Sequence, residues 1–99
     1  MTADQDAIIE EVYEVIRDRQ ETMPEDSYTA SLFSHEKGEN AVLEKLGEEM
    51  TELIIAAKDD DDAAILHESA DIVYHLLVLL RMQDLELRDL RAELSDRRG

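Results

Sequence analysis

Two short stretches of this sequence carry acidic residues three positions apart, inside segments that otherwise have the pattern of buried helices. The first is GEEMTE at residues 47–52, and the second is ESAD at residues 68–71. Residues three apart on a helix lie on the same side, so each stretch presents a pair of carboxylates in one direction. The four acids are Glu49, Glu52, Glu68 and Asp71.

Four carboxylates that converge at the edge of a core repel one another, and each raises the pKa of the others. A hard divalent cation removes that conflict, and ligation by oxygen alone suits Mg²⁺, with Mn²⁺ as the alternative. Spacing by itself leaves a second interpretation open, because 26 acids in 99 residues produce such pairs by chance. Asp59 and Asp62 have the same spacing, as do Glu86 and Asp89.

Other metal and catalytic sites agree less well with the sequence. The absence of cysteine argues against zinc, and a di-iron bundle needs Glu-x-x-His pairs, which no histidine of this chain completes. Four aspartates at residues 59–62 suggest a calcium loop, but it lacks the required glycine, so we expect a solvated loop in which Asp62 caps the next helix. His75 shares a strip with Glu68 and Asp71 but has no nucleophile nearby, and is expected to be a hydrogen-bonded core histidine.

Apolar residues at helical spacing predict five helices. The predicted helices cover about residues 6–19, 28–35, 40–58, 62–82 and 85–97. Pro24 ends the first segment, and Ser27 is the expected N-cap of the short second helix. On the third helix the apolar stripe is centred near Leu46, Met50 and Leu53, and Glu49 lies at its edge.

The predicted fold class is all-α, an antiparallel helical bundle with two long central helices in one domain spanning residues 1–99. Antiparallel packing across the 59–62 loop lets Glu49 and Glu52 face Glu68 and Asp71. The run IVYHLLVLL at residues 72–80 is apolar almost all round, and such a helix must be covered on every side. One small domain can hardly cover it, so we expect completion by dimerisation, most simply as a two-fold homodimer.

The formal net charge of −16 argues against two classes of partner. Nucleic-acid binding needs Lys and Arg to neutralise phosphates, and anionic membranes repel such a chain, so neither is an expected partner. The scarcity of lysine among 26 acids is typical of a protein from a salt-loaded cytoplasm, and a halophilic source is the hypothesis. No apolar signal segment or 20-residue apolar span is recognisable, so a cytoplasmic location is expected.

Several stretches together resemble one known family. They are SYTASLF at residues 27–33, KLGEEMTE at 45–52, AAK at 56–58 and ESADIVYHLLVLL at 68–80. The ordered acids Glu48-Glu49-x-x-Glu52 and Glu68-x-x-Asp71 look like the signature of the MazG-like all-α nucleoside triphosphate pyrophosphohydrolases. The flanking stretches resemble one branch of it, phosphoribosyl-ATP pyrophosphohydrolase, over essentially the whole chain.

This resemblance implies hydrolysis of phosphoribosyl-ATP to phosphoribosyl-AMP and pyrophosphate, the second step of histidine biosynthesis. It also implies a homodimer and a magnesium site made by the four acids of the two stretches. Glu48 matches the leading acid of the family pattern, which implies a supporting catalytic role such as positioning the attacking water. One departure is visible at Glu44-Lys45, where many relatives carry two basic residues, so residue 44 is not expected to contact phosphate.

A polyanionic substrate also needs positive charge, and all three lysines lie around the carboxylate helix. Lys45, one turn from Glu49, is the first candidate for a phosphate contact, followed by Lys37 and Lys58; salt bridges to neighbouring acids are the competing interpretation. Tyr28 and Thr29 are possible substrate contacts.

Two rival functions remain open from the sequence. One is a MazG-like enzyme that cleaves dUTP or damaged nucleotides with the same acids. The other is a non-enzymatic acidic helical dimerisation module.

Overall fold

The computed structural model describes residues 5–99 and forms five α-helices, with no β-strand in that range. The helices are α1 (Ile8–Thr22), α2 (Tyr28–Phe33), α3 (Glu39–Lys58), α4 (Asp62–Met82) and α5 (Leu87–Asp96). The prediction of an all-α chain with two long central helices is therefore confirmed. The sequence predicts no signal segment at its N-terminus, and residues 1–4 of that stretch lie outside the described residues.

The first two helices begin and end where local chemistry requires. Helix α1 ends at Thr22, three residues beyond the prediction. Its C-cap is Met23, whose backbone is left-handed (φ 49°). Ser27 is the N-cap of α2, as predicted, because its hydroxyl accepts a hydrogen bond from the Ala30 amide at 3.1 Å. Helix α2 ends at Phe33, two residues earlier than expected.

The hairpin of α3 and α4 is the centre of the fold. Glu49 contacts His75, and Glu52, further along α3, contacts Glu68, which lies earlier on α4. The two helices are therefore antiparallel. The turn contains Asp60 with a φ of 54°. Asp61, not Asp62, is the N-cap of α4: its Oδ1 accepts from the Ala64 amide at 3.1 Å, and Asp62 begins the helix.

The buried side of α3 is rotated about the helix axis relative to the predicted stripe. The line that faces the core consists of Val42, Glu49 and Ala56, all buried. Met50, placed near the centre of the stripe by sequence, is 47% exposed, and Ile54 is 57% exposed. The apolar stripe is wider than one chain can cover, so periodicity identified the stripe correctly but not which edge of it faces inward.

A polar network joins α1, the end of α4 and the start of α5. The Tyr13 hydroxyl donates to the Leu85 carbonyl at 2.9 Å and accepts from Arg81 Nη1 at 3.1 Å. The same guanidinium donates to Gln20 Oε1 at 3.0 Å and to Glu86 Oε2 at 3.1 Å. These hydrogen bonds satisfy a nearly buried Arg side chain and fix α5 against the bundle.

Glu86 and Asp89, which share the spacing of the candidate ligands, form the capping box of α5. The Glu86 amide donates to Asp89 Oδ2 at 2.8 Å. The spacing of this pair is therefore explained by helix capping.

Helix α4 is only partly covered by the rest of the chain. Only 17% of its most apolar window is buried, although the mean hydropathy of that window is 1.5. By length and composition it is the one helix within residues 5–99 that could cross a membrane, a test that core helices of soluble proteins also pass. Its exposed apolar surface is the structural fact that a partner would explain.

Candidate active site

Antiparallel packing brings one candidate ligand of α3, Glu52, into contact with one of α4, Glu68. Asp71 follows Glu68 by three residues on the same helix. Burial, the contact with Glu52 and the charge of Asp71 all raise the pKa of Glu68, while the charge of His67 opposes this rise. One carboxyl oxygen of Glu68, Oε1, is buried and has no hydrogen-bond partner among residues 5–99. Acids placed so close leave an excess of negative charge at this point of the hairpin.

Glu49 lies deeper than the other three acids. Its side chain is 10% exposed, and Oε1 is 2.9 Å from Nδ1 of His75, whose side chain is 6% exposed. The expectation that His75 is a hydrogen-bonded core histidine is confirmed. A buried carboxylate is costly unless it is paired and hydrogen-bonded, and His75 supplies that pairing.

Asp71 is half-exposed and contacts two histidines with different atoms. A carboxylate oxygen lies 3.3 Å from Nε2 of the exposed His67, one turn earlier on α4. Its backbone carbonyl lies 3.1 Å from Nδ1 of His75.

This donor set fits a hard divalent cation. The acids supply oxygen only, and one of those oxygens is buried without a partner in the described residues. Burial and the neighbouring acids raise the pKa of Glu68. Within the described part of the chain no three acidic or histidine side chains already converge as a finished cage. Carboxylates that repel each other are expected to turn apart, and here Glu49 and Asp71 each contact a histidine.

A separate cavity of about 210 Å³ opens beside Glu48. Lys37 and Lys45 line it together with Tyr28, so two of the three candidate phosphate contacts lie at one opening. Both lysines contact acids: Lys37 Nζ lies 3.1 Å from Glu44 and Lys45 Nζ lies 4.0 Å from Glu48. These exposed pairs are weak enough to exchange partners.

Lys58 lies apart from this cavity. It is the last residue of α3, and a rise of 1.5 Å per residue places it roughly 20 Å along the helix from Lys45. Among the described residues that line the cavity, Lys58 does not occur.

The short helix α2 is attached to α4 through two adjacent side chains. The Tyr28 hydroxyl lies 3.2 Å from Nε2 of His75, and the Thr29 hydroxyl is hydrogen-bonded to Tyr74. Thr29 therefore has a packing role in this structure, whereas Tyr28 also reaches the cavity. Tyr74 and His75 are the site residues for which sequence reasoning assigned no role at the acids; their adjacency to Glu68 and Asp71 on one helix was the available signal.

Comparisons with known proteins agree on one family. Residues 9–98 match the family model described as phosphoribosyl-ATP pyrophosphohydrolase. Phosphoribosyl-ATP pyrophosphatase of Haloarcula marismortui is 67% identical over 99% of this chain and 100% of the relative. The protein of that name from Natronomonas pharaonis is 70% identical over 96% of this chain and 94% of its own length. One from Pelotomaculum thermopropionicum is 53% identical over 92% and 91%, respectively.

Proposed function

The chain belongs to the phosphoribosyl-ATP pyrophosphohydrolase family, and from this premise we propose that Mg²⁺ bound between α3 and α4 supports its reaction. The resemblance found in the sequence is thereby confirmed. The protein hydrolyses phosphoribosyl-ATP to phosphoribosyl-AMP and pyrophosphate, a step of histidine biosynthesis. The observation that carries the proposed metal site is the buried Glu68 oxygen beside Glu52, which has no hydrogen-bond partner within residues 5–99.

The proposed ligands are the carboxylates of Glu49, Glu52, Glu68 and Asp71. When bound, Mg²⁺ polarises phosphoryl oxygen and lowers the pKa of bound water; Mn²⁺ has the same preference for oxygen. The hairpin of α3 and α4 holds the acids on rigid helices, which keeps them close despite their repulsion. Glu48, exposed one turn from Glu52 on α3, is proposed to orient the attacking water as an acceptor.

The cavity beside Glu48 is proposed to receive phosphate groups of the substrate. Lys45 and Lys37 supply positive charge there, in a chain whose net charge would otherwise repel a polyanion. Lys58 is the weakest of the three candidates because it lies at the other end of α3. Tyr28 lines the same cavity and is the better of the two α2 candidates for a substrate contact.

Incubating the protein with phosphoribosyl-ATP in molar KCl is expected to release pyrophosphate only when Mg²⁺ or Mn²⁺ is present. Metal-free protein should also unfold at a higher temperature after Mg²⁺ is added, because a ligand that binds the native state alone stabilises it. A panel of ordinary nucleoside triphosphates and dUTP is the control for substrate choice. Equal turnover with a chelator present, with no Mg²⁺ effect on unfolding, would contradict the proposed metal site.

We also propose that the protein is a homodimer in the cytoplasm, without nucleic-acid or membrane partners. The described residues that line a groove between α1 and α4 are all uncharged, in a chain of which 36% is charged. The large exposed apolar residues in it include Ile8, Ile9, Leu66 and Val73. A second copy is the occupant with the best electrostatic fit, because two chains of −16 repel each other least through an uncharged surface.

Light scattering on the purified protein is expected to give the mass of two chains, and Val73→Glu should shift the protein towards monomer. A carboxylate in the groove would have to be buried without a partner in the dimer. Leu85→Glu is the control, since Leu85 is similarly exposed but does not line the groove. Ile54→Glu tests the uncovered stripe of α3 as the competing interface. A wild-type monomer at working concentrations would contradict the proposal.

A further inference from the structure

The buried acid Glu49 is held by a chain of hydrogen-bonding side chains, and its middle member, His75, has no part in the proposed reaction. Tyr28, at the cavity, lies 3.2 Å from Nε2 of His75, and Nδ1 of His75 lies 2.9 Å from Oε1 of Glu49. The three side chains come from α2, α4 and α3, respectively. These side chains therefore connect the cavity proposed to receive substrate phosphates with one proposed metal ligand, through residues far apart in sequence.

The geometry determines which nitrogen of His75 carries a proton. Nδ1 faces two acceptors, the Glu49 carboxylate at 2.9 Å and the Asp71 carbonyl at 3.1 Å, so Nδ1 must donate. In the neutral ring Nε2 is then an acceptor, and the Tyr28 hydroxyl donates a hydrogen bond to it. The hydrogen bond from Nδ1 to Glu49 thus selects the tautomer in which Nε2 can accept from Tyr28.

The ring of His75 is also fixed sterically. Its centroid lies 5.0 Å from that of Tyr74 and 6.3 Å from that of Tyr28, both edge-on. Tyr74 is in turn hydrogen-bonded to Thr29. Packing and hydrogen bonds together leave the imidazole one orientation. An imidazole fixed in this way also fixes the carboxylate of Glu49, to which it is hydrogen-bonded.

From this arrangement we infer that His75 is a positioning residue: its Nδ1–H orients Glu49 for metal binding, and Tyr28 and Tyr74 orient His75. Without that donor, Glu49 is a buried carboxylate lacking its partner and must turn toward solvent or repack. The inference rests on the proposed role of Glu49 as a Mg²⁺ ligand. It assigns to the SYT and YH stretches a shared task at the acids.

Two amide replacements of His75 test this directly. Asn places its amide donor where Nδ1 lies, whereas Gln places it near the position of Nε2. Metal-free wild type and variants would be titrated with Mn²⁺ in molar KCl, with free Mn²⁺ followed by electron paramagnetic resonance and no substrate present. His75→Asn should bind Mn²⁺ within about threefold of wild type, and His75→Gln about 10–100-fold more weakly, the range seen when such outer partners are lost.

The remaining outcomes separate the two proposals. Glu49→Gln is titrated in parallel: if it binds Mn²⁺ as wild type does, the proposed metal site fails. If Glu49→Gln loses binding but His75→Gln and His75→Asn bind equally well, the metal site stands and the positioning role is overturned. His75→Phe adds a ring without a donor. Circular dichroism checks its folding, and the amide pair decides the question if this variant does not fold.

Discussion

Asp71→Asn, Glu52→Gln and Glu68→Gln are each expected to lower kcat/KM for phosphoribosyl-ATP by about a hundredfold to ten-thousandfold. Stabilisation of phosphoryl charge by a bound metal is worth several kcal/mol, and each 1.36 kcal/mol is a factor of ten in rate. The measurement is pyrophosphate release at saturating Mg²⁺ in molar KCl. Asp62→Asn, at the exposed start of the same helix α4, is the control and should retain wild-type activity.

The same variants should not harm folding, which distinguishes a ligand from a structural acid. The Glu68 pKa is raised in the folded chain by burial, Glu52 and Asp71, so the metal-free native state binds its proton more tightly than the unfolded state. Glu68 therefore contributes most to the stability of the metal-free fold when the pH is below its unfolded pKa. This contribution is lost as the pH rises through its folded pKa. Glu68→Gln removes this loss, so its metal-free form should be at least as stable as wild type near neutral pH, while Mg²⁺ no longer stabilises it. A Glu68→Gln variant with full activity would contradict the site.

The stability of the protein is expected to depend strongly on salt. The −16 charge of a 99-residue chain repels itself over about 10 Å at 0.1 M salt but over only about 3 Å at 1 M. Relatives in halophilic archaea such as Haloarcula marismortui agree with the halophilic hypothesis. We expect the unfolding temperature to rise by roughly 10–20 °C between 0.1 M and 3 M KCl, which corresponds to a few kcal/mol in a domain of this size.

Charge screening can be distinguished from a general effect of concentrated solutes. Asp59→Lys with Asp62→Lys lowers the net negative charge at two exposed positions outside the Asp61 cap, and should reduce the salt dependence. Sucrose at matched osmolality is the control, because it favours compact states without screening charge. Unfolding temperatures that do not change with KCl would exclude self-repulsion as the limiting factor.

The local elements were predictable because their causes are local. Ser27 caps α2 as its residue type indicates, and both long helices have bounds within one residue of those predicted from apolar periodicity. The N-cap of α4 was misplaced by one residue because consecutive aspartates are equally good caps by type. Only the backbone, extended at Asp61 (φ −93°, ψ 92°), distinguishes them.

The depth of each acid was not predictable in the same way. Periodicity placed Glu49 at the edge of an apolar stripe, but the structure buries it on the line that faces α4. The stripe of α3 is wider than its contact with α4, and which edge is buried depends on the partner helix. For the same reason Met50 and Ile54 are exposed in one chain.

By itself the sequence determined an acidic, all-helical chain with paired carboxylates on two adjacent helices, and it identified the family through SYT, GEEMTE and YHLLVLL. These are properties of residue type and short spacing, which one chain displays without folding. The tertiary structure decided that Glu52 lies against Glu68, whereas Glu49 is held by His75 and thereby linked to Tyr28. Those contacts join residues 26 and 47 positions apart, and only the packing of whole helices brings such residues within hydrogen-bonding distance.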